Sequence, residues 1–219
     1  ERSNRRLGIS ADEIGQSFVS LVDGLSGFGL MSEENQNLIV DQAAELNKLG
    51  VAAASFTGVI ETATRSLGMS TAASQEMIDS TTVLAQELGI SLGSAIDNLN
   101  QALPKLVAHG KNAGAIFAEL QEQAVKTGIS VNELIDIADQ FKTFDDAATA
   151  AGNLNAVLGT QLFSTMELLE ARARGPEEVI DLITIVSDDE SAKYDGRAKK
   201  PSKISRGVAC VSKKPRTRA

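Results

Sequence analysis

Glycines fall at positions 8, 29, 50, 68, 89, 110 and 128, in steps of 21, 21, 18, 21, 21 and 18. The text around four of them repeats: Leu7-Gly8-Ile9-Ser10, Leu67-Gly68-Met69-Ser70, Leu88-Gly89-Ile90-Ser91 and Thr127-Gly128-Ile129-Ser130. A glycine ends a helix by entering the left-handed region cheaply, and the apolar residue after it folds back. The serine hydroxyl then accepts from the free N–H groups that open the next helix. Looser versions stand at Gly29-Leu30-Met31-Ser32, Leu49-Gly50-Val51 and Gly110-Lys111-Asn112. The spacing predicts an all-α chain of consecutive short amphipathic helices, built on a three-helix unit of 60 residues used twice and begun a third time. The units cover about 7–66, 67–126 and 127–171 of a helical region spanning 1–171. The expected structural junction residues are Gly8, Ser10, Gly29, Ser32, Gly50, Gly68, Ser70, Gly89, Ser91, Gly110, Gly128 and Ser130.

Between the breaks, apolar residues recur every three or four positions. Ala11, Ile14, Phe18, Leu21, Val22, Leu25 and Phe28 predict the first buried stripe, and Leu38, Ile39, Gln42, Ala43, Leu46 and Leu49 the second. Ala53, Phe56, Ile60, Ala63 and Leu67 mark the third helix. In the next unit the stripes are Ala73, Met77, Leu84, Leu88; then Leu92, Ala95, Ile96, Leu99, Ala102, Leu103, Leu106; then Ala113, Ile116, Phe117, Leu120, Ala124. Pro104 predicts a kink, or an end to its helix near Leu103. Ser10 with Glu13 and Ser130 with Glu133 read as capping boxes. After Phe141 the register is lost: Asp145-Asp146 predict a fresh helix to Leu158, and Gly159-Thr160 a restart through Leu162, Met166 and Leu169. No single stripe can be buried alone, so neighbouring units must stack.

The character changes from Arg172. Residues 172–190 read as a linker or short helix, in which Pro176 through Val186 fits a helix and the run Val179-Ile-Asp-Leu-Ile-Thr-Ile-Val186 fits a strand equally well. Residues 1–190 carry 11 Lys+Arg against 28 Asp+Glu, whereas 191–219 carry 10 against one Asp. That step predicts a disordered basic tail over 191–219. The tail reads as a solvated segment or as sequence foreign to the helical part, a frame shift or gene-end rearrangement included. The chain opens on Glu1, which predicts a piece of a longer polypeptide, and its first six residues read as the end of a preceding helix or a frayed terminus.

Chemistry-bearing residues are sparse. Cys210 is the only cysteine and His109 the only histidine, so no cysteine cluster or multi-histidine metal site is expected. His109, before Gly110, is expected to cap helix carbonyls. Asp145-Asp146 and Asp188-Asp189-Glu190 lack the alternating ligands and glycine bend of a calcium loop. No phosphate-binding loop, nucleophile elbow or zinc-protease signature occurs. Seven Phe, one Tyr and no Trp argue against an aromatic-lined ligand core. No cofactor, metal or catalytic residue is expected. The only segment suited to nucleic acid is the basic tail, through Lys199-Lys200, Lys213-Lys214 and Arg216-Thr-Arg218.

At Leu67-Gly-Met-Ser and Leu88-Gly-Ile-Ser, with Ala/Ser/Thr/Gln/Glu-rich helices between them, the chain resembles a phage tail tape-measure protein. The likeness continues through Ala147-Ala-Thr-Ala-Ala-Gly-Asn-Leu-Asn-Ala-Val-Leu-Gly159 and covers residues 7–171. The resemblance implies a structural protein in the lumen of the tail tube of the virion, made in the host bacterial cytoplasm, whose length sets that of the tube. It implies self-association, with contacts to tail tube and baseplate proteins and to tail assembly chaperones. It transfers no catalytic role and no small-molecule substrate. The rival expectation is a free-standing α-helical repeat adaptor for protein–protein binding; a nucleic-acid-associated protein led by the tail ranks third and an enzyme last.

Overall fold

The computed structural model describes residues 8–159 and 161–184. The expectations for residues 1–6 and for the basic tail lie outside the described residues. Among the described residues there is no strand, and the chain is all-α. Its helices are α1 (Ala11–Gly24), α2 (Glu33–Lys48), α3 (Ala53–Arg65), α4 (Thr71–Leu88), α5 (Leu92–Leu106), α6 (Ala113–Thr127), α7 (Val131–Asp139), α8 (Phe144–Leu158), α9 (Thr165–Arg174) and α10 (176–184). Short 3-10 turns at Phe28–Leu30 and Val107–Asn112 join α1 to α2 and α5 to α6. One compact unit ends at Leu182, within α10, so the expected boundary at 171 falls inside α9.

The core gathers on α5. Ala95, Ile96, Leu99, Ala102, Leu103 and Leu106 are all buried there, and α5 touches α3, α4, α6 and α7. Each fully buried Leu or Ile is worth about 1.5–3 kcal/mol, which makes this helix the main source of cohesion. α3 meets it with Phe56, Val59, Ile60 and Ala63. The two 60-residue copies share one scheme of neighbours: α1 touches α2 and α3 as α4 touches α5 and α6, and α3 meets α4 as α6 meets α7. Stacking between copies runs through α3 on α5. Two glycines permit close crossings: a Cβ on Gly58 would collide with Asn100 Oδ1, and one on Gly93 with the Gly50 carbonyl oxygen.

Several faces turn differently from the apolar spacing. In α1 the buried residues are Ser17 and Leu21, followed by Leu25 and Phe28, whereas Phe18 is 46% and Val22 50% exposed. Gly24 is the reason: a Cβ there would meet Thr57 Cγ2 at 2.8 Å, so α3 approaches on the 17/21/24 side. Ser17 tolerates burial because its hydroxyl donates to the Glu13 carbonyl at 2.9 Å. In α2, Ile39, Val40, Ala43, Ala44 and Leu46 are buried while Leu38 and Leu49 are exposed, a rotation of the expected stripe by about one position.

Pro104 neither ends α5 at Leu103 nor stops the next turn; the helix continues to Leu106 and tightens only from Val107. The restart expected at Gly159-Thr160 comes later, at Ser164, where Ser164 and Glu167 form a capping box. The ambiguous run after Gly175 is helical from 176, with Pro176 in the first turn where its missing N–H costs nothing. Gly29 is not a left-handed stop: it lies inside the Phe28–Leu30 turn, which Gln36 holds by donating from Nε2 to the Phe28 carbonyl at 2.9 Å.

Candidate functional site

The junctions are built from backbone groups. Gly8, Gly50, Gly68, Gly89, Gly110 and Gly128 have φ from +57° to +87°. At Gly50 the following N–H, of Val51, donates to the Leu46 carbonyl at 3.0 Å, while Gly50 N–H reaches Asn47 at 3.0 Å. Gly89 repeats this, with Ile90 donating to Ala85 at 3.0 Å and Gly89 to Gln86 at 3.3 Å. Both satisfy carbonyls that a helix end leaves open. Of the apolar residues that follow these glycines, Ile9 and Val51 are buried, whereas Ile129 is exposed. Ser10, Ser32, Ser70, Ser91 and Ser130 all accept from a backbone N–H three residues on, at 3.1–3.4 Å, and Ser10 and Ser130 are joined reciprocally by Glu13 and Glu133. The five serines each start a helix, and Gly50, Gly68, Gly89 and Gly128 each follow or close the end of one.

Gly110 differs in kind. Its φ of 57° and ψ of −128° belong to a region open to glycine alone. His109 beside it makes no hydrogen bond to a helix carbonyl among the described residues, so its expected capping role is absent. Its imidazole is half-buried, and burial, then the nearby Arg172 charge, push its pKa down against an opposing pull from Asp139. Arg172 donates to Asp139 at 2.8 Å, tying α9 to α7, and its Nε is buried without an acceptor.

Two surfaces have the concavity or charge that binding needs. A groove of about 390 Å³ opens between α4 and α6, walled by Met69, Met77 and Leu84 over a floor of Gly114, Ala115 and Ala118. A second hollow, of about 620 Å³, lies between α8 and α9. Asn155 organises its rim by accepting from the N–H groups of Leu162 and Phe163, both at 2.9 Å, and donating to the Phe163 carbonyl at 2.8 Å. Neither Asn155 nor the Ser164-Glu167 box figured among the expected junctions, although the Ser-x-x-Glu spacing was there to be seen.

Charge concentrates where α6 meets α10. Gln123 donates from Nε2 to Asp181 Oδ1 at 2.6 Å and to the Glu177 carbonyl at 3.3 Å. Glu177 is buried at this contact, and burial pushes its carboxyl pKa up, with Glu119 and Glu178 adding to the rise. Glu119 is raised too, first by burial and then by Asp181, Glu178 and Glu122. The arrangement can attract cations; among the described residues no group of three or more His, Cys, Asp or Glu is placed to hold a metal ion. No described helix is long and apolar enough to cross a membrane. No family model matches the chain, and neither does any curated protein or solved structure.

Proposed function

We propose that this chain is part of a phage tail tape-measure protein, a structural element of the virion that assembles inside the tail tube and sets its length. The observation that carries the reading is the 60-residue recurrence of capped amphipathic helices, with polar side chains committed to helix ends and core residues shared between successive copies. In this reading the chain works by packing and not by catalysis. Its partners are further copies of itself, the tube and baseplate proteins, and the chaperones of tail assembly.

A ruler needs length proportional to residue number, whereas left-handed glycines fold this region into short helices lying against one another. In this reading the compact form is the state before assembly, and the helices are laid end to end when the ruler is built. Deleting residues 68–127 in frame from the phage gene tests the reading. A helical ruler loses about 90 Å of tail at 1.5 Å per residue, measurable by electron microscopy. Intact tails of unchanged length overturn it. Tube, sheath or baseplate genes beside this one would support it independently.

The second reading, a free-standing helical adaptor, draws on the exposed Phe18, Val19 and Val22 of α1. The ruler calls for further long helical sequence beyond both ends of this region; the adaptor calls for polar capping repeats there.

A further inference from the structure

Three helices open a unit behind the same junction. α1 follows Gly8, α4 follows Gly68 and α7 follows Gly128, with φ of 70°, 63° and 74° and a serine cap two residues on. α1 and α4 have matching neighbours in their own units, α2 with α3 and α5 with α6. What differs is the contribution of the preceding unit. α4 is also touched by α3, and its Asp79 accepts from Gln42 of α2 at 3.2 Å; α7 is touched by α5 and α6. Along that side of α4, Gln75 and Ile78 are buried, and sixty residues on, in α7, so are Ile135 and Ala138. Sixty residues back, α1 has Gly15 and Phe18 at these positions, both exposed. Val19 stands in place of Asp79, and Val22 lies one turn on; they are 57% and 50% exposed.

This flank of α1 is built for a helix. Phe18, Val19 and Val22 are the apolar residues of a covered side, and Gly15 leaves open space beside them. The residues that lead into Gly8 name the kind of helix. Glu1, Arg5, Leu7, Gly8 and Ser10 repeat Glu61, Arg65, Leu67, Gly68 and Ser70, the letters of the end of α3 and its junction. Over α2 the approach differs, because Glu33 stands where Gly93 of α5 lets the Gly50 carbonyl come close. The contact therefore falls to α1, as α7 carries it for α6.

We infer that the flank of α1 formed by Gly15, Phe18, Val19 and Val22 is the seat of a helix of the α3 kind, the third helix of a further unit joined through Gly8. It continues the interface already present between successive copies, in which each first helix is covered by the unit before it. This goes beyond the ruler reading and stands or falls without it, since any stacked array of the repeat needs the seat.

The test extends the full chain. The sequence of residues 49–60 is placed ahead of Glu1, which completes a helix of the α3 kind in register, and a control extension carries the same residues shuffled. Thermal melts followed by circular dichroism compare the two. The in-register extension should raise the midpoint by about 4–8 °C over the shuffled one, the shift that covering two half-exposed apolar side chains brings in a chain of this size. Val22→Asp should remove at least half of that gain while costing little in the unextended chain. Val157→Asp, at an 85% exposed position of α8, should leave the gain intact. A smaller gain, or one that survives Val22→Asp, overturns the inference. So does a dimer of the unextended chain, seen by sedimentation, that Val22→Asp dissolves, because a second copy then holds the face.

Discussion

The two 60-residue copies share one scheme of helix neighbours and differ in how their first and third helices cross. In α1–α3, Gly24 faces Thr57, whose hydroxyl is fixed on the Ala53 carbonyl at 2.7 Å while its methyl lies 2.8 Å from where a Cβ would sit. Sixty residues on, Leu84 stands for Gly24 and Phe117 for Thr57. Leu84 walls the groove between α4 and α6, and Phe117 is among the largest fully buried side chains. The same scheme of neighbours thus supports a closed crossing in one copy and an open groove in the other. Helix breaks set where the elements lie in the chain; side-chain volume at two positions decides whether a binding surface appears between them.

The largest test of this contrast is Phe117→Ala. Truncating a buried phenylalanine costs about 3–5 kcal/mol, read from urea unfolding followed by circular dichroism, since the chain has no tryptophan. A loss below about 1 kcal/mol, the size of a surface change, would mean that Phe117 does not hold the second copy together. Next comes the transplant in the other direction, Gly24→Leu. Thr57 cannot rotate away without losing its hydrogen bond, so overpacking should cost about 1–3 kcal/mol. If the variant is as stable as the parent, the close crossing of α1 and α3 does not depend on glycine.

What was legible in the sequence divides along the same line. The positive φ expected of every junction glycine but Gly29, the five serine caps and the stripe of α5 from Ala95 to Leu106 are local chemistry, written within a few adjacent residues. Which face of α1 or α2 turns inward is a property of the partner. Phe18 and Leu21 both fit a helical stripe, and only the approach of Thr57 at Gly24 selects Leu21. The buried Ser74 and Thr81 of α4 escaped an apolar pattern because each hydroxyl donates to the carbonyl four residues back, which makes a polar residue fit for the core. The α6–α10 acidic face was invisible for a related reason: Gln123 and Glu177 are 54 positions apart, and no local signal joins them.

Smaller effects sharpen the comparison at the caps. Ser10 and Ser70 are equivalent across the two copies, yet Ser10 is locked reciprocally by Glu13 whereas Ser70 faces Ala73. Replacing either with alanine should cost about 1 kcal/mol. The Ser10 variant should lose more, because it also strands the Glu13 carboxylate. A double-mutant cycle with Glu13→Gln isolates that excess, and no coupling between the two positions would reduce the box to a simple cap.

The smallest effects are electrostatic, and they should have opposite signs in the two copies. The Ser10 backbone N–H, then its hydroxyl, then Lys48 hold Glu13 below the ordinary glutamate range. Its contribution to stability is therefore full above the unfolded-chain value and disappears as pH falls through the lower folded value. Glu119 of α6 lies above the range because of burial first and of Asp181, Glu178 and Glu122 next. Folding there takes up a proton more readily than the unfolded chain does, so stability is greatest below the ordinary glutamate value and declines as pH rises through the elevated one. Thermal melts across the acidic range resolve the two. Glu13→Gln should flatten the loss at the acid end, whereas Glu119→Gln should remove the decline on the mildly acidic side and stabilise the chain at neutral pH. If both variants shift the profile in the same direction, the contrast between a capped carboxylate and a crowded one is wrong.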